Sequence, residues 1–255
     1  MTWPRGRDEA KSVSHSCRAW PGWWRHRLRR YDSSLPLVSI HVPKCAGTSL
    51  SDILCQWFPG DDFQRHYRPH LDQLPVRHEL RGGQCVHGHF NGARGFGVWD
   101  FYPQARQFII FLREPFDRFV SQWLYMNRRH QGGDYVGGLV DNPSFEQWIN
   151  RRADEQGRQR NSYSPVWFLP LPPGTTPVET QLRELFVFIG LHERMALSMR
   201  GLAASLGRPE VALPHLNRTE RGRREFERWR GFYERHFQDE YALYQAAYQL
   251  HLKQF

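Results

Sequence analysis

Residues 35–49 join a strand to a helix through a turn that few folds accommodate. Leu35-Pro36-Leu37-Val38-Ser39-Ile40 is a short apolar run of the kind that makes a buried strand. His41-Val42-Pro43-Lys44-Cys45-Ala46-Gly47-Thr48-Ser49 then brings a proline, a lysine, a glycine and two hydroxyls together. From 48 to 58 the apolar residues Leu50, Ile53, Leu54 and Trp57 recur at helical spacing, and Pro59-Gly60 ends the run. A helix leaving such a turn presents unpaired backbone N–H groups at its start, which suit a phosphate or a sulfate. The lysine strengthens that reading. Of 35 basic residues only Lys11, Lys44 and Lys253 are lysines, and the other two stand near the ends of the chain. A compact ammonium acts at such a loop as a point charge that arginine's planar fork does not replace.

The alternation of strand and helix continues. Residues 84–90 read as a second short strand, 105–112 as the clearest strand, with Phe108-Ile109-Ile110-Phe111 at its centre, and 185–189 as another. Helices are expected from Pro115 to 128, from 141 to 152, from 192 to 206 and from 220 to 250; Pro115 suits a first helical turn. Residues 61–81 and the proline-rich 169–177 read as irregular. This order predicts an α/β, P-loop-like three-layer fold with a central, largely parallel sheet and C-terminal helices. One domain is expected over 35–255. Before it, 1–34 forms a basic, Trp-rich extension, either loosely docked or attached to an anionic surface.

With 40% hydrophobic and 15% aromatic residues the chain can bury a large core, which excludes a disordered class. No run approaches the roughly 20 apolar residues of a membrane span. Residues 1–31 lack a signal-peptide core, so a cytoplasmic protein is expected. Cys17, Cys45, Cys55 and Cys85 show neither CxxC nor zinc-finger spacing, which points to a reducing compartment and to no metal site. Cys45 reads as a small filler of the turn rather than a nucleophile. The net charge of +9 and pI near 9.7 favour an anionic partner. Nucleic acid, acidic glycan, nucleotide and membrane surface all satisfy that charge.

Two further constellations carry chemistry. In Leu112-Arg113-Glu114-Pro115-Phe116-Asp117-Arg118-Phe119-Val120-Ser121, Arg113 stands at the carboxyl end of a strand, where ligands bind in open α/β sheets. Ser121 follows two turns into the next helix, and Arg118 reads as one half of a structural ion pair. His87-Gly88-His89 offers a general base, a structural histidine pair or, without a carboxylate or cysteine to complete it, a poor metal site. The first loop is not a Walker A loop, because Lys44 precedes Gly47 by three positions. The strand at 105–112 ends in Leu112-Arg113, without an aspartate to hold magnesium.

Together the two anion motifs resemble those of sulfotransferases that use 3′-phosphoadenosine 5′-phosphosulfate (PAPS). The resemblance implies that Lys44, Cys45, Ala46, Gly47, Thr48 and Ser49 hold the 5′-phosphosulfate and that Arg113 and Ser121 hold the 3′-phosphate. His87-Gly88-His89 resembles the His-Gly-His of the uronyl 2-O-sulfotransferase branch, which implies His89 as base, His87 as its support and Lys44 as the catalytic cation. His215-Leu216-Asn217-Arg218-Thr219 resembles a loop that closes over the nucleotide, with Asn217 and Thr219 as contacts, or else caps the next helix. The implied reaction is metal-free transfer to a hydroxyl on a glycan or glycoconjugate, with no nucleic-acid partner. Trp99, Trp123, Tyr125 and Trp167 are either sugar-stacking surfaces or core. The competing classes are a P-loop phosphotransferase or ATPase, which needs magnesium-ATP, and a non-enzymatic polyanion binder, which shows salt-sensitive binding without nucleotide preference.

Overall fold

A computed structural model describes residues 28–67, 79–133, 143–158, 161–211 and 224–255. Its elements run β1 (Leu37–Ile40), α1 (Gly47–Trp57), β2 (Phe63–His66), β3 (Cys85–Gly88), α2 (Val98–Phe101), β4 (Gln107–Leu112), α3 (Pro115–Gln131), α4 (Phe145–Gly157), α5 (Val178–Leu185), β5 (Phe186–Leu191), α6 (Met195–Leu206), α7 (Arg230–His236) and α8 (Gln238–Leu252). The strands form one parallel sheet in the order β2-β3-β1-β4-β5.

Every residue of β1, β3, β4 and β5 is buried. This is why these segments read as near-continuous apolar runs: a parallel sheet is covered on both faces. On one face Leu37, Cys85, Ile109 and Phe111 pack with Leu50, Ile53 and Leu54 of α1 and Met199 and Leu202 of α6. On the other, Val38, Ile40, Val86 and Ile110 meet Leu182 of α5 and Leu243 and Leu250 of α8. Each large side chain so buried contributes about 1.5–3 kcal/mol. The layers are therefore helix, sheet, helix, as expected. A third cluster, built on Phe119, Trp123, Trp148 and Tyr233, binds α3 to α4 and α7.

Strand β2 corrects the sequence reading, which treated 61–81 as irregular. Phe63-Gln64-Arg65-His66 pairs with β3 alone and is only partly covered. A short polar edge strand has no apolar signature to find. Gly88 permits its close pairing, since a Cβ there would meet the His66 carbonyl oxygen at 2.1 Å. Helices α2 and α5 were also missed, the latter because Pro177 introduces it from a loop. Residues 28–34 lie along the sheet: the Arg29 amide donates to the Phe186 carbonyl (3.2 Å) and Gln107 Nε2 donates to the Asp32 carbonyl (2.8 Å).

The chain leaves β1 toward β2 on one side of the sheet and leaves β4 toward β5 on the other, so the carboxyl ends of β1 and β4 form a switch point, the place where open α/β sheets provide a ligand crevice. One wall of that crevice is α3. Glu114 caps it, accepting from the Asp117 amide at 2.7 Å, and Pro115 follows at the first helical position. The C-terminal helices hold that corner in place. Arg230 reaches Glu114 (2.9 Å) and Asp117 (3.2 Å), and the Tyr241 hydroxyl donates to Glu114 (2.8 Å). Arg118 donates to buried Glu240 at 2.9 Å, and the Tyr233 hydroxyl donates to the same oxygen at 2.6 Å. Arg118 is thus the structural half-pair that its position suggested.

Candidate active site

The loop between β1 and α1 is held in an unusual backbone conformation. Lys44 (φ 68°) and Ala46 (φ 64°) both occupy the left-handed region, although neither is glycine. Strain of this kind gathers at functional sites. Helix α1 starts with Gly47, has no side-chain cap and has no acidic residue in its first turn. No acidic residue of that turn competes there for its first N–H groups and its positive dipole end. Thr48 is exposed and Ser49 half-buried in that turn. Cys45 is buried, and burial pushes its thiol up to about 12, so it is a filler and no thiolate.

Lys44 has no carboxylate partner among the described residues. Its Nζ instead lies 4.3 Å from the centre of the Tyr125 ring. Burial, and then the Arg128 and Arg113 guanidiniums, hold its ammonium below the usual lysine range. Arg113 is buried at the end of β4, and its Nη1 donates to the Lys44 carbonyl at 3.4 Å. The two anion motifs therefore share one wall. Ser121 stands half-buried two turns into α3. Asn217 and Thr219 lie outside the described residues.

On the other side of β1 stand three histidines. Ser39 and His87 are paired across β1 and β3, and Arg65 is paired with His87 across β2 and β3. Two residues further along each chain come His41, His89 and Tyr67, on the same face by strand alternation. The His41 ring is stacked on His87 (5.0 Å) and on His89 (4.2 Å). Stacked rings do not converge their nitrogens on one ion, and no group of three ligating residues among the described ones is arranged to hold a metal.

The two histidines of the His-Gly-His segment differ in what is left to them. His87 is fully buried; its Nε2–H donates to the Gly47 carbonyl (3.1 Å) and its Nδ1 accepts from the Ser39 hydroxyl (2.8 Å). Burial, then His89, push its pKa down to about 3, so the ring is neutral and both nitrogens are occupied. His89 donates Nδ1–H to the His41 carbonyl (2.9 Å), and burial holds it below the usual histidine range. Its Nε2 keeps a lone pair with no partner among the described residues, the state a general base needs.

A family model described as Sulfotransferase family matches residues 30–250. The chain belongs to the sulfotransferase family. No curated protein and no solved structure matches it. As a sulfotransferase it is a transferase of sulfuryl groups on an α/β scaffold. Among the described residues no helix is long and apolar enough to cross a membrane. Of the four aromatics singled out in the sequence, Trp123 is core, Trp99 and Trp167 pack partly buried against the core, and Tyr125 is 39% exposed. Sequence reasoning missed His41, Tyr67, Arg65 and Arg128 as neighbours of the sulfotransferase site. The period-two spacing of Ser39 with His41 and of Arg65 with Tyr67, matching His87 with His89, was the signal available.

Proposed function

We propose that this sulfotransferase moves a sulfuryl group from PAPS to a hydroxyl on a carbohydrate or glycoconjugate. The observation that carries the reading is the shared wall of the two anion motifs, where Arg113 bonds the backbone of Lys44. The uncapped start of α1, free of acids, and an ammonium set on an aromatic ring instead of a carboxylate fit a polyanionic nucleotide. Lys44, Gly47, Thr48 and Ser49, with the backbone of Cys45 and Ala46, would hold the 5′ end. Arg113 and Ser121 would hold the 3′-phosphate, and Asn217 and Thr219 remain proposed contacts through the resemblance alone.

The bound donor supplies an activated sulfuryl group and a bisphosphate leaving group. His89 Nε2 takes the proton of the acceptor hydroxyl as that oxygen bonds to sulfur. Lys44, Thr48 and Ser49 offset the charge left on the departing phosphate oxygen. His87, with both nitrogens engaged, ties β3 to the donor loop and takes no proton. For a carbohydrate, Tyr125 offers an exposed ring beside Lys44, and Arg94, stacked on Tyr163 at 4.4 Å, stands on the His89 side. The thiols Cys45, Cys55 and Cys85 are unpaired, in keeping with a cytoplasmic location.

Calorimetry of adenosine 3′,5′-bisphosphate against magnesium-ATP tests the donor. Metal-independent binding of the bisphosphate, weakened in Lys44→Ala, is expected. A preference for magnesium-ATP would restore the phosphotransferase reading, and no nucleotide binding would restore the polyanion binder. Radiolabelled sulfuryl transfer to a panel of desulfated glycans then tests the acceptor.

A further inference from the structure

The mechanism above leaves one imidazole unused. His41 stands between the donor loop and His89, with its ring plane within 22° of both histidine neighbours. Its Nδ1 lies 3.0 Å from the Tyr67 hydroxyl. Its Nε2 edge lies over the first residue of α1: a Cβ on Gly47 would come within 1.9 Å of Nε2. That nitrogen has no hydrogen-bond partner among the described residues.

The hydrogen bond between Tyr67 and His41 has a preferred direction. A phenol hydroxyl is a better donor than acceptor, and the lone pair of a neutral imidazole is a strong acceptor. The Tyr67 proton therefore goes to His41 Nδ1, and His41 carries its own proton on Nε2. Burial, followed by His89, His87 and Lys44, keeps the ring neutral, with a pKa of about 2.

We propose that His41 is a ligand of the donor loop in its own right, its Nε2–H hydrogen-bonding an oxygen of the sulfuryl or phosphoryl group bound at Gly47, with Tyr67 as the positioning residue that sets its tautomer. This rests on the nucleotide-donor reading above. Adjacent rings of the stack then have opposite polarity. His41 offers an N–H toward the donor, and His89 offers a lone pair toward the acceptor. A neutral donor suits this place, because an imidazolium would repel Lys44 and pull the His89 lone pair away from its proton. Gly47 is required on the same argument, since any side chain would displace the ring.

The test uses the full chain labelled with 15N-histidine and long-range proton–nitrogen spectra, assigned with His41→Phe and His89→Ala. Wild-type His41 is expected as the neutral Nε2–H tautomer throughout the neutral range, and Tyr67→Phe is expected to convert it to a tautomer mixture. Adenosine 3′,5′-bisphosphate should shift the His41 Nε2 proton. His41→Phe keeps a flat ring but no N–H, and should weaken bisphosphate binding about tenfold by calorimetry. A proton on Nδ1, or wild-type affinity in His41→Phe, overturns the proposal while leaving the donor reading intact. Failure of the wild type to bind the bisphosphate overturns both. If His41→Phe does not fold, the tautomer in wild type and in Tyr67→Phe still decides the matter.

Discussion

Lys44 Nζ rests over the Tyr125 ring, 4.3 Å from its centre, and so joins the loop after β1 to the middle of α3. An aromatic face orients an ammonium without neutralising it, which a carboxylate would do. Tyr125→Phe should therefore bind adenosine 3′,5′-bisphosphate like wild type, and Tyr125→Ala about three- to tenfold more weakly. Lys44→Ala should lower turnover by about two orders of magnitude or more, and Lys44→Arg should not restore it. Equal affinities across the Tyr125 series would show that the ring plays no part in setting the lysine.

His89, the proposed base, makes a pH-dependence prediction. Burial is the main cause of its lowered pKa; the bond to the His41 carbonyl opposes it and Arg94 adds to it. A base works unprotonated, so kcat/KM should hold as pH falls through the ordinary histidine value of about 6.5 and decline only below it. Arg94→Ala removes a positive neighbour and should move that midpoint upward. His89→Ala should lower turnover by about 10²–10⁴ and abolish the acid limb. A limb that persists in His89→Ala would assign the base elsewhere.

His87 makes a stability prediction. Its folded pKa, about 3, lies below the unfolded histidine value of about 6.5. The unfolded chain therefore takes up a proton first as pH falls. The stability it contributes is complete above about 6.5 and is lost downward from there toward pH 3, by about 1.4 kcal/mol per unit. Glu114, Glu193 and Glu240, whose pKa values are raised by burial, act in the opposite sense. The difference between wild type and His87→Gln isolates the histidine. Denaturant midpoints should converge as pH is lowered from 7 to 4, and parallel curves would remove His87 from this role.

Arg118 and Glu240 are both buried, and each is the other's charge partner. Arg118→Met alone leaves a buried carboxylate, and Glu240→Leu alone a buried guanidinium. Either should cost about 3–5 kcal/mol by denaturant unfolding. Because Tyr233 also donates to Glu240, the apolar replacement is Arg118→Met, Glu240→Leu and Tyr233→Phe together, which should recover most of that loss. Additive losses in the triple variant would contradict a closed network.

What the sequence disclosed was local. The Lys44 loop, Arg113 at a strand end and His87-Gly88-His89 are each written within ten residues, and a strand-to-helix turn carries its chemistry in adjacent positions. The α/β order was legible because β1, β4 and β5 are covered on both faces. Strand β2 was not, since Gln64 and Arg65 break the apolar pattern at the sheet's edge. His41 was visible as a residue but not as a neighbour of His89, because that contact depends on the register of β1 against β3. The Arg118 ion pair was foreseen, but not its partner, which lies 122 residues away on a helix with little apolar contrast between its faces.

Lys44 and Arg113 hang from β1 and β4, each flanked by strands on both sides, whereas Arg65 and Tyr67 hang from β2, bonded on one side only. An outermost strand can be exchanged, extended or redrawn while the ladders inside it persist. Descent with modification would therefore act unevenly on this enzyme. The machinery nearest the middle resists change, and the edge strand, apart from the Tyr67 position on which His41 depends, has more room to diverge.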